Sequence, residues 1–530
     1  MAQTVVRSAM IIIAVTLLGR VVGLFREILL ADQFGADWVT DAYGLAYTIP
    51  STIFLFVPGA LNAIFVPSLK AMMVRGEEAE ARALFRKMLT VTTVIYFIIM
   101  IAGLMFSRQI IEALTFMQHA SSAIEPGQRA KQIELAVKLL QLMWPSAVFI
   151  ALLGVFQATL NAHQQFFIPN VSTVVNSLVI CAAYPLLVPA YGISGVAIGT
   201  SLGFLFAALS MIPSLRKQNY SLVPDWRFNT DEMKKIGERF IPIMFGSLIT
   251  QVYSFIQPVL SAGLGEGTVA ALRFANNIYQ LPMGIFVAAF TLPIYPYLVE
   301  YYTKGEIGRM KQSVSEGMQY LFILMLPVIT AMVVIPDRLV SLLYYRGGSG
   351  EFTGEAIHLT AVALLYMSLG LFFLAARDLL TRACYAMENT KVTVIAAMVG
   401  IVVNIVSSLL FIPYIGHGGV ALGTSVGSLA NMLLLALFLR RTIGPFMLRS
   451  FWLTALKTLI ASAIMGTVLY TATAFVTIPG VMLEKLYIII LIGIGAGLFF
   501  VVLIVLREPL ALQIIERFAG KLLKRRRGTK

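Results

Sequence analysis

With two cysteines and four histidines in 530 residues, the chain has little material for several chemistries. Cys181 and Cys384 stand alone inside apolar stretches, so a disulfide framework and Cys/His metal-ligand spacings are both excluded. No Gly-x-x-x-x-Gly-Lys-Ser/Thr phosphate loop occurs, which removes a nucleotide-hydrolysing engine. Charge is scarce overall, at 12% of residues against about 25% in a soluble domain. Carboxylates are scarcest, 26 against 40 basic residues. A membrane-embedded enzyme acting on polyprenyl phosphates needs clustered acidic residues or histidines near one interface. A proton- or sodium-coupled drug antiporter needs buried carboxylates. The sequence offers no such cluster and few such carboxylates, so it reads as a non-enzyme with no cofactor requirement.

Hydrophobic residues make up 58% of the chain. A spanning helix needs about 20 apolar residues to cross roughly 30 Å of hydrocarbon. About fourteen runs satisfy this, near 8–31, 42–66, 86–107, 134–160, 166–189, 192–213, 236–263, 268–298, 316–336, 356–383, 391–413, 417–440, 451–475 and 484–506. The fold class is therefore all-α, a polytopic helical membrane protein. The first run is too long and too charged for a removable signal peptide, and it lacks a small-residue cleavage site.

The net charge of +14 follows topology rather than marking a nucleic-acid partner. Loops after even-numbered runs hold Arg82, Arg86 and Lys87, then Arg216 and Lys217, Arg309 and Lys311, and Arg440 and Arg441. The opposite loops hold few, among them Arg108, Arg129, Arg338 and Lys485. The positive-inside rule then places both termini in the cytoplasm, as an even number of spans requires. From Glu508 onward, Leu512, Ile515, Phe518 and Leu522 fall at helical spacing ahead of Lys524-Arg525-Arg526-Arg527. This predicts either a basic amphipathic tail on anionic membrane lipids or a plain cytoplasmic retention signal.

The chain also repeats itself. Asn176 and Pro185 match Asn404 and Pro413, each 228 residues on. Gly195-Val-Ala-Ile-Gly-Thr-Ser matches Gly419-Val-Ala-Leu-Gly-Thr-Ser, 224 residues on. The period covers six spans, and an even number inserts both halves with one orientation, as in parallel transporter repeats. The expected organisation is an amino-terminal lobe of six spans over 1–215 and a cytoplasmic linker over 216–235. A second six-span lobe follows over 236–441, then a terminal helix pair over 442–507 and the tail over 508–530. Gly195, Gly199 and Gly203, with Gly419, Gly423 and Gly427, form the small-xxx-small spacing of close helix packing.

Against this apolar background, Arg20, Arg26 and Glu27 stand inside the first run, and Asp41 opens the second. An arginine at the centre of a spanning helix costs about 2.5–3.5 kcal/mol on insertion scales, so two in one helix point to a cavity that receives an anion.

The stretches LGRVVGLFRE and FGADWVTDAY, a second run ending IFVPSL, and RACYAMENTK resemble the MurJ/MviN lipid II flippases. These belong to the multidrug/oligosaccharidyl-lipid/polysaccharide exporter superfamily, and the resemblance covers essentially the whole chain. It implies a two-lobed bundle in a bacterial cell membrane, with a cationic cavity opening alternately to the cytoplasm and the outside. The implied substrate is lipid II, a polyprenyl diphosphate carrying the peptidoglycan disaccharide-pentapeptide. The family's essential first-helix arginines fall on Arg20 and Arg26, and its acidic second-helix residue on Asp41. Two positions depart from the pattern. Pro50-Ser-Thr-Ile-Phe lacks the arginine that often follows the proline. Asn276 and Asn277 stand before Gln280-Leu-Pro282 where many members carry Asp-Arg, and Arg273 is placed to supply that charge from one turn away.

Read this way, Arg20, Arg26 and Arg273, with Asn276 and Asn277, are candidate substrate ligands, because planar guanidiniums fork onto phosphate oxygens. The alternative is that the arginines pair with Glu27 or a neighbouring helix. Glu27 is expected to orient an arginine rather than touch substrate. Asp41 is expected either to gate the outer side by pairing with an arginine or to cap the second helix. Arg377 and Asp378, with Arg382, suggest an internal ion pair or gate latch. Asn404 and Thr424 are weak candidates for a monovalent-cation site, with helix–helix hydrogen bonding as the alternative. Export of a diphosphate from an inside-negative cell runs downhill, at about 2.3 kcal/mol per charge per 100 mV. A flippase for another polyprenyl-linked glycan and a drug/cation antiporter of the same superfamily are the competing readings.

Overall fold

The computed structural model describes residues 2–116, 125–227, 233, 236–238, 255–284, 288–348, 350–447, 449–476 and 478–512, and no strand occurs among them. In chain order the helices are α1 (Ala2–Phe34), α2 (Trp38–Val74), α3 (Glu78–Leu114), α4 (Pro126–Met143) and α5 (Pro145–Ala162). Next come α6 (Phe167–Leu186), α7 (Val188–Tyr191), α8 (Ile193–Leu209), α9 (Ile212–Lys217) and α10 (Thr268–Pro282). They continue with α11 (Ala288–Thr303), α12 (Ile307–Val334), α13 (Pro336–Tyr344), α14 (Gly354–Ser368) and α15 (Leu371–Ala386). The last are α16 (Thr390–Ile415), α17 (His417–Ile443), α18 (Arg449–Phe475) and α19 (Val481–Val505).

Among the described residues, ten helices are long and apolar enough to cross a membrane. An eleventh span is the pair α14–α15, bent by 43° at its break. The expected count of about fourteen is thus met only to this extent. The stretch 236–263 lies largely outside the described residues, α10 and α11, at 15 and 16 residues, are each too short to be counted, and α1 is not among the ten. Apolar side chains such as Phe97, Ile98 and Phe106 on α3, and Leu486, Ile490 and Ile494 on α19, are exposed. Outer faces of this composition suit hydrocarbon rather than water.

Inside α2 stand Pro50, Pro58 and Pro67, which a bilayer helix tolerates when nearby groups satisfy the backbone. Two hydroxyls add bonds within the same helix, Thr48 donating to Gly44 O and Thr52 to Thr48 O. The Asp37 carboxylate caps the start of α2, accepting from Val39 N and Thr40 N at 3.0 Å each.

By Cα proximity the chain divides into two compact units, Met1–Arg273 with Gly350–Phe352, and Phe274–Ser349 with Thr353–Lys530. The division falls inside α10, directly after Arg273. In the first unit α1 packs on α6, α2 on α4 and α5, and α6 on α8. In the second, α12 packs on α18, α16 on α17, and α18 on α19 around Ile323, Met465, Leu491 and Phe499.

Each unit carries the expected small-residue packing. A side chain at Gly203 would lie 2.9 Å from Asn176 O, and one at Gly427 2.8 Å from Asn404 Cβ. Gly192 and Gly416, just ahead of α8 and α17, share one backbone conformation, φ 56° in both and ψ −140° and −133°. Glycine adopts that left-handed φ without steric cost. Of the carboxy-terminal tail, Glu508 and Ala511 are buried, while 513–530 lie outside the described residues.

Candidate functional site

The charged residues of the first helix meet a partner far along the chain. Glu27 Oε1 accepts from Arg26 Nη2 at 2.7 Å and from Arg273 Nη2 at 2.9 Å. The carboxylate is 3% exposed and each guanidinium side chain 16%. One carboxylate oxygen therefore serves two arginines, and the cluster keeps one unneutralised positive charge. Its hydrogen-bonding capacity is only partly used. Glu27 Oε2, Arg26 Nε and Arg273 Nη1 are buried with no hydrogen-bond partner among the described residues. Unmatched groups of this kind are costly, and they mark a place where another polar group fits.

Two tyrosines of α2 complete the cluster. Tyr43 and Tyr47, one turn apart, stack with ring centroids 5.8 Å apart and planes 13° from parallel. The Arg273 guanidinium lies over both rings, at 4.9 Å and 4.8 Å, and that of Arg26 over Tyr47 at 5.7 Å. Tyr43 Oη meets Thr200 Oγ1 of α8 at 3.3 Å. Neither tyrosine was a sequence candidate. The only signal for the tyrosines was their four-residue spacing, which equally describes ordinary core aromatics.

Asp41 holds the arrangement in register, and not as the cap of its own helix. Its carboxylate accepts from Gly267 N at 2.8 Å and Ala270 N at 2.7 Å, so it caps α10, and Asp37 has taken the cap of α2. A carboxylate at a helix amino terminus satisfies free N–H groups and complements the helix dipole. This fixes α10 against α2 at a point less than two turns before Arg273. The approach is close: a side chain at Gly267 would sit 2.2 Å from Ala36 O. One at Gly35 would sit 2.4 Å from Glu351 O, and Glu351 N donates to Asp32 O at 2.9 Å.

The remaining candidates lie elsewhere. Arg20 is exposed on α1, six residues and about 9 Å of helix rise before Arg26. Asn276 and Asn277 follow Arg273 on α10, and Asn277 Nδ2 is buried with no hydrogen-bond partner among the described residues. Arg377 and Asp378 pair with each other on α15, Nη2 to Oδ1, at 2.8 Å. Thr424 Oγ1 donates to Val420 O of its own helix at 3.2 Å. Asn404 Oδ1 accepts from Ser408 Oγ at 3.2 Å. Both of these contacts are made within a single helix. Among the described residues no group of three His, Cys, Asp or Glu side chains is placed to hold a metal.

Comparison with known proteins agrees with this architecture. The family described as "Lipid II flippase MurJ" matches residues 30–491, a stretch that begins just after Glu27. The probable lipid II flippase MurJ of Vibrio cholerae serotype O1 is 25% identical over 511 residues, covering 95% of this chain and 97% of that one. The lipid II flippase MurJ of Burkholderia cenocepacia is 26% identical over 469 residues, covering 86% and 88%. Among solved structures, a lipid II flippase MurJ in an inward closed conformation matches with TM-score 0.77 at 23% identity, over 94% of this chain and 99% of that one. An inward-facing multidrug resistance MATE family transporter of the MOP superfamily matches with TM-score 0.65 at 14% identity, over 83% and 98%. At such identities the structural likeness is one of fold.

Proposed function

The chain belongs to the MurJ family of lipid flippases, transporters rather than enzymes, and from that premise we propose that it moves lipid II from the cytoplasmic to the outer leaflet of a bacterial cell membrane. Both termini then lie in the cytoplasm. The observation that carries the site assignment is the Arg26–Glu27–Arg273 cluster, a buried excess of positive charge with unused donors. A diphosphate is the complementary partner: it offers several oxygens and more negative charge than one carboxylate, and guanidiniums engage it by paired hydrogen bonds. Glu27 stands in for it while the site is empty, keeping both guanidiniums oriented and the charge tolerable. Arg20 extends the cationic track along α1, and Asn276 and Asn277 add amide donors on α10.

Transport is by alternating access of two six-helix lobes over 1–215 and 236–441, joined by the 216–235 linker. Asp41, Glu27, Arg377 and Asp378 are the gating groups, and the membrane potential or an ion gradient supplies the drive. A monovalent cation at Asn404 and Thr424, and anionic lipids at the basic tail, are secondary partners.

Arg26→Ala and Arg26→Lys test the assignment in cells depleted of their own lipid II flippase, with membrane abundance measured alongside rescue. In the alanine variant Glu27 keeps Arg273, so the protein inserts at normal level while rescue is lost by about a hundredfold or more. Lysine keeps the charge without the planar fork and restores part of it. Full rescue by Arg26→Ala removes Arg26 from the site.

A further inference from the structure

We infer that Tyr43 and Tyr47 are positioning residues of the transport site: their stacked rings hold the Arg26 and Arg273 guanidiniums by the face, leaving the edges to exchange Glu27 for a diphosphate. The inference rests on the diphosphate reading above and adds what keeps the two arginines in place when their carboxylate partner is replaced.

A guanidinium has two separable binding surfaces. Its N–H groups lie in the plane and point outward, where carboxylates and phosphates bind. Its flat faces carry no donors and stack on aromatic rings. In this site the two surfaces are divided between partners. Glu27 takes edge donors of both arginines, and the tyrosines take the faces, Arg273 over both rings and Arg26 over Tyr47. Stacking therefore does not compete with the hydrogen bonds that substrate needs. Tyr47 is the shared element, since it is the ring that touches both cations.

The rings are themselves held. Tyr43 is 1% exposed and reaches Thr200 on α8. The Asp41 cap ties α2 to the amino terminus of α10 one short stretch before each stacked residue. An aliphatic residue at 47 fills similar space but offers no negative ring face, so the guanidiniums lose orientation as well as attraction.

The test separates the ring's electrons from its volume. Tyr47 is replaced by Phe, by Leu, and by phenylalanines bearing one to three ring fluorines. The full-length proteins are purified in nanodiscs, and binding of lipid II is measured beside thermal stability, with Arg26→Ala as reference. Tyr47→Phe is expected to bind as the parent does, and affinity to fall stepwise with fluorination at unchanged stability. Tyr47→Leu is expected to lose about tenfold to thirtyfold, the factor of a desolvated cation–π contact. Affinity that stays flat across the fluorinated series while Arg26→Ala is defective overturns the aromatic role and leaves the diphosphate site standing. Parent-like binding by Arg26→Ala overturns the site reading and this inference with it. The fluorinated residues preserve shape, so they decide the matter even where Tyr47→Leu folds poorly.

Discussion

Among the described residues, each compact unit buries a glutamate against cationic partners, Glu27 against two and Glu508 against one, and the two clusters are finished differently. In the second unit, Glu508 is 3% exposed, and both of its oxygens are used. Thr454 Oγ1 lies 2.7 Å from Oε1, and Lys457 Nζ lies 3.2 Å from Oε2 and donates to Arg507 O at 3.1 Å. The charges cancel, and Lys457, 28% exposed, keeps contact with solvent. In the first unit, Glu27 is equally buried but faces two guanidiniums, with one carboxylate oxygen and two guanidinium nitrogens unmatched. A closed, neutral, fully bonded cluster fastens helices together. An open one with surplus charge is costly unless something else completes it. Burial and ion pairing alone do not tell the two apart; unspent hydrogen-bonding capacity and net charge do.

Removing each carboxylate breaks the comparison where it is strongest. Glu27→Gln leaves two like charges side by side in a buried site, where loss of one partner of a buried ion pair costs about 3–5 kcal/mol. Membrane abundance and thermal stability in detergent should fall sharply. Adding Arg26→Gln to that variant should restore abundance without restoring transport, because one cation then remains, stacked on both tyrosines. An abundant, stable Glu27→Gln protein would mean that the guanidiniums reach other compensation and that Glu27 is not their counter-ion.

The helical membrane class was legible in the sequence, and the site only in part. Apolar runs of spanning length report themselves through composition, and the Gly195 and Gly419 stretches repeat one another in the sequence itself. Arg26 and Glu27 were visible as misplaced charges. Their partner Arg273 lies 246 residues from Glu27, and nothing local announces the meeting. It depends on Asp41 capping a helix other than its own. A carboxylate at a helix start reads as that helix's cap, yet Asp37 had already filled the role, which left Asp41 for Gly267 and Ala270. Tyr43 and Tyr47 were hidden for a different reason, since aromatic residues one turn apart in an apolar helix look like core until a cation is found over them.

Glu508→Gln sharpens the same comparison with a smaller effect. The amide oxygen can still accept from Thr454, and Lys457 can turn to water, so the cost should be about 1–2 kcal/mol. Thermal stability should drop modestly, and transport per molecule inserted should be unchanged. A transport defect exceeding the loss of abundance would give this cluster a part in the cycle and erase the distinction drawn between the two.

The smallest effect lies at His163, where the first unit fastens a loop with neutral groups instead of charges. Its Nε2 meets Tyr220 Oη at 3.0 Å, and Tyr220 packs edge-on against Phe85, holding the segment after α9 in place. Partial burial pushes the imidazole below its ordinary value, Lys70 pushes it further, and Glu78 opposes both. The folded protein therefore binds this proton more weakly than the unfolded chain, whose histidines titrate at about 6.5. Stability from this group is complete above that pH. It declines as pH falls below it and stops declining once the folded histidine is protonated too. His163→Phe keeps the ring against Tyr220 and removes the titration. Melting curves at pH 7.5 and 5.5 should show a slightly larger acid-induced loss in the parent than in the variant, on the order of a degree. An equal loss in both proteins would show that His163 does not contribute, and a larger loss in the variant would reverse the sign of its assigned shift.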